Sequence, residues 1–190
     1  GEKLIGHNTD GVGYMRSVID AGHNIIGSQM TLLGSGGASS AILAQAALDG
    51  VSQIDLFARK GNSWNIIESQ VARINAQTSC KVTLNELSDR TTLKNSIQNS
   101  AILVNASSVG MAPDTEGCLI PDTSYFHPEL IVSDVIYNPQ KTKLLQMADS
   151  AGLSTFNGMY MLLYQGAEAF KLWTGQEMPV DLIKKELFQS

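Results

Sequence analysis

The ten residues that decide the fold of this chain are Met30-Thr31-Leu32-Leu33-Gly34-Ser35-Gly36-Gly37-Ala38-Ser39. The first four form an apolar run typical of a buried strand, and the small residues that fill 38–48 predict a helix directly behind it. Between them, G-x-G-x-x-S is close to the pattern in which one glycine permits a tight turn, the next lets the backbone approach a pyrophosphate, and a small residue closes the motif. A flexible turn is the alternative interpretation. The order of strand, glycines and helix favours a dinucleotide-binding turn, since free N–H groups at a helix start attract phosphate.

Outward from this turn, apolar strands alternate with helical stretches. The predicted strands are 30–33, 53–58, 81–84, 102–105, 131–136 and 154–156. The predicted helices are 10–21, 38–48, 63–75, 89–98, 141–151, 159–173 and 179–188, and the third of them is expected to bury one face made of Ile66, Ile67, Val71 and Ile74. Six strands with helical crossovers predict an α/β fold, a doubly wound parallel sheet of Rossmann type in three αβα layers.

Composition excludes several classes of protein. The net charge of −5 argues against a nucleic-acid-binding surface, which is usually basic. Cys80 and Cys118 form no C-x-x-C pair and the three histidines have no partner at ligand spacing, so we predict neither a metal site nor a disulfide framework. We expect no membrane span, because no apolar run approaches about 20 residues, and no signal peptide at the start of the chain. A reducing, cytoplasmic location is the expectation.

The choice of cofactor depends on the residues directly after the second strand. About 20 positions after the glycine turn, an acid would bind the 2′-hydroxyl of NAD. The chain instead has Ala58-Arg59-Lys60-Gly61-Asn62. Arg59 and Lys60 could meet the 2′-phosphate of NADP, or they could be charges that only solvate a loop. We predict NADP in preference to NAD.

Other polar segments have two interpretations each. Asn8-Thr9-Asp10-Gly11 precedes a helix, and local sequence favours Thr9 or Asp10 as an N-cap over Asp10 as a carboxylate that handles a proton. The residues after the fourth and fifth strands are ordinary turn formers, but in a doubly wound sheet they line the ligand crevice. Gln165 lies among apolar neighbours, so it is either exposed or bonded to a polar ligand.

Five motifs in order resemble the shikimate dehydrogenase family, which includes the quinate/shikimate dehydrogenases. They cover nearly the whole chain and are Asn8-Thr9-Asp10-Gly11, Gly34-Ser35-Gly36-Gly37-Ala38-Ser39, Asn105-Ala106-Ser107-Ser108-Val109-Gly110-Met111, Tyr137-Asn138-Pro139-Gln140-Lys141-Thr142, and the run from Asn157 to Ala167 with Trp173-Thr174-Gly175 behind it. The family reversibly reduces 3-dehydroshikimate to shikimate with NAD(P) in aromatic amino acid biosynthesis. Some members act on quinate, and the sequence leaves shikimate and quinate open.

The resemblance implies a role for each matched residue. Asp10 would be the catalytic carboxylate, which overturns the preference for a cap, and Gln165 would hydrogen-bond a substrate hydroxyl. The pyrophosphate would be held by Ser35, Gly36, Gly37 and Ala38, and the adenosine ribose by Ala58, Arg59, Lys60 and Gly61. Ser108, Val135, Ile136, Tyr137 and Asn138 would line the cofactor cleft, with Gly158 and Met161 beside the nicotinamide.

Departures from the family concern the cofactor and the extent of the chain. Ala58 stands where the family usually has Asn, and Gly61 stands where some members carry an acid that reads NAD. Family enzymes also have an N-terminal substrate domain that supplies a catalytic Lys. We therefore expect 1–190 to be a C-terminal NAD(P)-binding domain, with 1–22 and 158–190 adjoining that substrate domain, and the chain to be inactive alone. A homodimer is compatible with this expectation.

Two rival functions remain open for the sequence. A non-catalytic NADP-binding regulatory module would need neither Asp10 nor Gln165. A different Rossmann enzyme, such as a methyltransferase, would require an acid after the second strand, and the basic pair Arg59-Lys60 disfavours it.

Overall fold

The computed structural model describes residue 3 and residues 5–187, except the side chain of residue 187. Its strands are β1 (Gln29–Leu33), β2 (Gln53–Ala58), β3 (Lys81–Glu86), β4 (Ile102–Asn105), β5 (Ile131–Asp134) and β6 (Ser154–Phe156). Its helices are α1 (Asp10–Asp20), α2 (Gly37–Asp49), α3 (Trp64–Gln77), α4 (Arg90–Asn99), α5 (Lys143–Ser150), α6 (Met159–Thr174) and α7 (Val180–Leu187). A short 3₁₀ turn lies at Thr123–Tyr125. The predicted last helix extends to Phe188, which lies outside the described residues.

All six strands form one parallel sheet in the order β3-β2-β1-β4-β5-β6. The chain builds outward from β1 to β3, then returns to the other side of β1 with β4. The prediction of a doubly wound Rossmann sheet is thus confirmed. This reversal places a crevice at the carboxyl ends of β1 and β4, which is where open α/β sheets bind ligands.

Both faces of the sheet are buried, which gives three layers. Leu32 and Ile54 belong to a core with α1, α2 and α3, whereas their neighbours Leu33 and Phe57 belong to a second core with α4 and α5. The expected apolar face of α3 is wrong at one position: Ile66 is 71% exposed, while Ile67, Val71 and Ile74 are buried. Ile67 already fills the inward position of that first turn.

The fifth strand is shorter than the predicted 131–136. It ends at Asp134 because the side chain of that residue turns the backbone: its Oδ1 accepts a hydrogen bond of 3.0 Å from the N–H of Ile136. Val135 still donates its N–H to the carbonyl of Asn105 at 3.0 Å, the chain then turns away from the sheet, and Val135 and Ile136 form the wall of the crevice.

Helix α1 is fixed against α2 and α6 by two glycines. A Cβ at Gly11 would lie 2.5 Å from the carbonyl oxygen of Ala41 in α2, and a Cβ at Gly13 would lie 2.6 Å from the backbone nitrogen of Gln165 in α6. Arg16 then pairs with Glu168 and lies 4.6 Å from the centre of the Tyr164 ring. The N-terminal helix and α6 thus pack at backbone distance.

Gly34 follows β1 where the backbones after β1 and β4 nearly touch. Its φ is +120°, and a Cβ there would lie 2.7 Å from the carbonyl oxygen of Ala106. The N–H of Gly34 bonds the carbonyl of Phe57 at 2.9 Å, and the N–H of Ala106 bonds the carbonyl of Leu33 at 2.8 Å. Only a residue without a side chain fits between these bonds.

We expect Gly34→Ala to lower the free energy of unfolding by more than about 2 kcal/mol. A positive φ costs an L-residue about 1–2 kcal/mol, and the collision with Ala106 adds a packing penalty of about 1–3 kcal/mol. Urea unfolding followed by circular dichroism measures the loss.

Gly27→Ala is the matched control for this substitution. Gly27 also has a positive φ, +77°, but a Cβ there would have no atom within 4 Å. Gly27→Ala should lower the free energy of unfolding by only about 1 kcal/mol, the cost of a positive φ without a steric collision. Equal losses in the two variants would contradict the close approach at Gly34.

Candidate functional site

Two adjoining cavities form one cleft across the carboxyl ends of β1 and β4. Their volumes are about 230 Å³ on the β2 side and about 430 Å³ on the β5 side. Both are lined by Gly36, Ala106, Ser107 and Ser108. The cleft therefore follows the sheet edge on both sides of the glycine turn, in the direction expected of an extended dinucleotide.

The glycine turn presents bare backbone to this cleft. A Cβ added at Gly36 or Gly37 would have no atom within 4 Å. Gly36 is the N-cap of α2, and no side chain of the described residues caps the helix. The hydroxyl of Ser39 donates to the carbonyl of Gly34 at 2.9 Å and so stabilises the conformation of the turn. The free N–H groups and the open space fit a phosphate group.

The β2 end of the cleft carries one unpaired cation. Ala58, Arg59 and Leu87 line the smaller cavity, and in the part of the chain that the structure describes Arg59 takes part in no ion pair. Lys60 and Gly61 line neither cavity. Lys60 was expected to face the cofactor beside Arg59, but its Nζ lies 2.8 Å from Oε1 of Glu86. The binding roles of Lys60 and Gly61 stay predictions.

The β5 end of the cleft is walled by the segment that leaves β5. Val135, Ile136, Tyr137 and Asn138 line the larger cavity together with Ser108 and Ala38. Gly158 donates its N–H to the carbonyl of Ile136 at 3.1 Å, and any Cβ there would overlap the carbonyl of Val135. Helix α6 therefore starts directly behind the wall, with Met161 buried in its first turn.

A buried carboxylate, Asp134, ties the loops around the cleft together, and sequence reasoning missed it. Its side chain is fully buried; Oδ2 accepts bonds from Asn105 Nδ2 at 3.1 Å and Thr142 Oγ1 at 2.8 Å. Oδ1 accepts the N–H of Ile136. Burial raises the pKa of Asp134, and the three hydrogen bonds act in the opposite direction. A lone acid in an apolar strand was the signal that could have revealed it, because a buried acid needs partners.

Asn105 carries the network into the loop beneath the phosphate end. Its Oδ1 accepts the hydroxyl of Ser107 at 2.7 Å, and its Nδ2 also donates to the carbonyl of Val109 at 3.2 Å. Thr142 caps α5 by accepting the N–H of Leu145. One acid thus fixes the segments after β4 and β5 and the start of α5.

Gln165 lies at the contact between α1 and α6, and Thr9, the neighbour of Asp10, reaches its side chain. The hydroxyl of Thr9 lies 3.5 Å from Oε1 of Gln165, and the Nε2 of Gln165 donates to the carbonyl of Leu162 at 3.1 Å. Thr9 is the N-cap residue of α1, as the local sequence favours, but its own side chain makes no capping hydrogen bond. Oδ1 of Asn8 accepts the N–H of Asp10, the first residue of the helix, at 2.9 Å. The hydroxyl of Thr9 faces the amide of Gln165 instead. Neither Asp10 nor Gln165 lines the two cavities.

The described part of the chain contains neither a cluster of side chains that could hold a metal ion nor a helix that could span a membrane. No group of three or more metal-binding side chains lies within residues 3 and 5–187. No helix among these residues is long and apolar enough to cross a bilayer.

Comparison with known proteins identifies relatives along almost the whole chain. The family model of the Shikimate 5′-dehydrogenase C-terminal domain matches residues 158–188. A shikimate dehydrogenase (NADP(+)) of Listeria monocytogenes is 50% identical over 185 residues, which is 97% of this chain and 64% of that protein. The resemblance shown by the motifs is therefore confirmed, and the chain spans less than two thirds of this relative's length.

Solved structures agree with this assignment of the fold. The shikimate 5-dehydrogenase of Listeria monocytogenes, in complex with shikimate and NAD, superposes with a TM-score of 0.93 at 50% identity, over 96% of this chain and 63% of that one. The quinate dehydrogenase of Corynebacterium glutamicum, in complex with NAD, has a TM-score of 0.83 at 26% identity, over 97% of this chain and 63% of that one.

We expect Asp134→Asn to lower the free energy of unfolding by about 1–3 kcal/mol at pH 5, because the amide turns an NH₂ group toward donors that need acceptors. Burial raises the pKa of Asp134 above its ordinary value of 3.8. Because the folded pKa is raised, Asp134 contributes to the stability of wild type, in full below pH 3.8, and this contribution is lost as pH rises through the folded pKa. The gap between wild type and variant should therefore narrow from pH 4 to pH 8.

Asp114→Asn, an exposed carboxylate, is the matched control for the change in charge. It should stay within about 0.5 kcal/mol of wild type at every pH. Urea unfolding at several pH values measures both variants. A gap for Asp134→Asn that widens with rising pH would show that the folded pKa is lowered rather than raised.

Proposed function

We propose that this chain is the NAD(P)-binding part of a shikimate dehydrogenase, which interconverts 3-dehydroshikimate and shikimate with NADP. The observation that carries the proposal is the open glycine turn at the uncapped start of α2, placed on the cleft between β1 and β4. The 50% identity to shikimate dehydrogenases supports it over 97% of the chain. Quinate is the alternative substrate.

The cofactor would lie along the cleft with each part matched by a different set of residues. In this proposal the N–H groups from Ser35 to Ala38 hold the pyrophosphate at the start of α2, where the helix dipole favours an anion. Ala58 leaves space at the end of β2 for the adenosine ribose, and Arg59 supplies a cation for the 2′-phosphate. Ser108 and the wall from Val135 to Asn138 surround the nicotinamide end, with Gly158 and Met161 behind it.

Arg59 is the reason for preferring NADP. A guanidinium presents several N–H donors in a fixed plane, which suits a phosphate better than a single hydroxyl. It is exposed and lines the smaller cavity. NAD would bind through the same pyrophosphate contacts but would leave Arg59 without a phosphate partner.

The chemistry divides between the cofactor and two side chains at the contact of α1 with α6. The nicotinamide, when bound, supplies the hydride acceptor for oxidation of the alcohol. Asp10 would hold the proton of the reacting hydroxyl oxygen, as a general base in one direction and a general acid in the other. Gln165 would bond another substrate hydroxyl through its amide and so fix the ring. The hydroxyl of Thr9, 3.5 Å from Oε1, orients that amide.

The proposal includes the organisation of the whole enzyme. We assign residues 1–190 to the cofactor domain, and we place 1–22 and 158–190 next to a substrate domain that corresponds to the remaining third of the relatives' length. The substrate would lie between the two domains. A homodimer, which light scattering measures, and a cytoplasmic location belong to the same proposal.

Gly36→Val should abolish NADP binding in a chain that still folds. The added side chain has free space in the protein itself, since a Cβ there meets no atom within 4 Å, but it would occupy the space that the pyrophosphate needs. Calorimetric titration with NADP⁺ measures binding, and circular dichroism verifies folding.

Gly6→Val is the control, because a Cβ there also has no atom within 4 Å and Gly6 lines neither cavity. It should leave NADP⁺ affinity as in wild type. Wild-type affinity in folded Gly36→Val would mean that the glycine turn is not the phosphate site.

The catalytic assignment is tested by turnover. We expect the 190-residue chain to bind NADP⁺ but to produce essentially no NADPH from shikimate or quinate, because a substrate held on one side only is poorly positioned. A chimera that adds the unmatched part of the Listeria monocytogenes relative should turn over shikimate. In that chimera, Asp10→Asn should lower kcat by about 10²–10⁴-fold and leave the Kd for NADP⁺ unchanged.

The outcomes separate the rival functions. A chimera that binds NADP⁺ but has no turnover with either substrate would favour a regulatory NADP-binding module. Near-normal turnover by the 190-residue chain alone, or by the Asp10→Asn chimera, would show that the chemistry belongs to other residues.

A further inference from the structure

A carboxylate from the edge strand stands next to the proposed ribose end of the cleft. In NAD-binding Rossmann domains an acid at the end of β2 binds the ribose 2′-hydroxyl, whereas this chain has Ala58 and Arg59 there. In the sheet, Ala58 pairs with Glu86 at the end of β3, and the N–H of Leu87 bonds the carbonyl of Ala58 at 2.9 Å. Glu86 therefore lies on the neighbouring strand, beside the position of the acid in those domains.

Glu86 is engaged with a lysine that follows Arg59. Its Oε1 lies 2.8 Å from Nζ of Lys60, and Oε2 accepts the hydroxyl of Ser88 at 3.4 Å. Nζ of Lys60 also lies 5.7 Å from the centre of the Trp64 ring. The Lys60 ammonium is thus held on the β3 side, by a carboxylate and an aromatic face, and it lines neither cavity.

Arg59 and Lys60, though adjacent in sequence, therefore have different electrostatic surroundings. Arg59 lines the cleft and has no ion pair within residues 3 and 5–187, whereas the charge of Lys60 is compensated. The ammonium beside Glu86 holds the pKa of that carboxyl below its usual range. Glu86 is thus a full negative charge at neutral pH.

We propose that Glu86 sets the cofactor selectivity of this site: it withdraws Lys60 from the 2′-phosphate and leaves the binding of that phosphate to Arg59. The inference rests on the proposed function, since it concerns the same cofactor. Of the two consecutive cations after β2, only Arg59 would then face the cofactor. The pair is partly exposed, with 67% of the Lys60 side chain and 42% of the Glu86 side chain accessible, so its effect depends on ionic strength.

The test compares NADP⁺ and NAD⁺ affinities of single and double variants by calorimetry. Glu86→Gln removes the charge and keeps the shape. It should tighten NADP⁺ binding by about 1.5- to fivefold, which is the range of one exposed charge pair, and leave NAD⁺ unchanged. The gain should shrink between about 0.01 M and about 0.15 M salt, where the Debye length falls from about 30 Å to about 8 Å.

Two further variants assign the gain to Lys60. Lys60→Gln alone should weaken NADP⁺ binding, but less than Arg59→Ala does, because it removes an ammonium already paired with Glu86 and leaves that carboxylate uncompensated. In the Lys60→Gln/Glu86→Gln double variant the gain should disappear. Arg59→Ala is the positive control and should weaken NADP⁺ but not NAD⁺.

Glu129→Gln controls for the change in net charge, since Glu129 is exposed and lies in the loop before β5. It should not reproduce the gain. Unchanged NADP⁺ affinity in Glu86→Gln, or a loss with Lys60→Gln as large as with Arg59→Ala, would overturn the role of Glu86 and leave the proposed function intact. A loss of NAD⁺ affinity in Glu86→Gln would overturn it too, by showing that the carboxylate binds the ribose directly. Failure of the wild-type chain to bind either cofactor would overturn both proposals.

Discussion

The structure depends on the close approach of β1 and β4 at their carboxyl ends. There the sheet changes direction, and the backbone of Gly34 passes the carbonyl of Ala106 with no room for a side chain. Parallel strands that separate at this point leave a crevice, and the N-terminus of α2 points into it. The position of the cleft, the exposure of Gly36 and the free N–H groups of the helix all follow from this one contact.

A second constraint keeps the crevice in shape after the strands end. Ala106 and Val135, the first residues after β4 and β5, still donate to the neighbouring strands, but the residues beyond them leave the sheet and need other hydrogen-bond partners. Asp134 is fully buried there and accepts hydrogen bonds from the side chains of Asn105 and Thr142 and from the N–H of Ile136. A charge without a cationic partner is costly to bury, and three donors offset that cost. The position of the cleft wall is thus held by hydrogen bonds to Asp134, which is buried within an otherwise apolar layer.

Local patterns predicted the elements well, because period and turn chemistry act over a few residues. The glycine turn, all six strands and the doubly wound topology followed from them. They failed where an outcome depends on distant partners. Residues 135 and 136 continue the apolar run of β5, yet the side chain of Asp134 ends the strand. The cations at 59 and 60 look equivalent in sequence, but Glu86, 26 positions beyond Lys60, separates them. Register between strands carries that information, and a single segment does not.

Helix α6 connects the two halves of the proposed site. It begins next to Gly158, packed on the wall of the cleft, and Gln165 lies about 9 Å along the axis from Met159. Gly13 lets α1 pack against the backbone of Gln165 in α6. The position of Asp10, at the start of α1, is thus fixed by the contact with α6. In the proposed site, the packing of α6 against the cleft wall and against α1 would therefore set the distance between the cofactor and the groups at Asp10 and Gln165, as hydride transfer requires of its reactants.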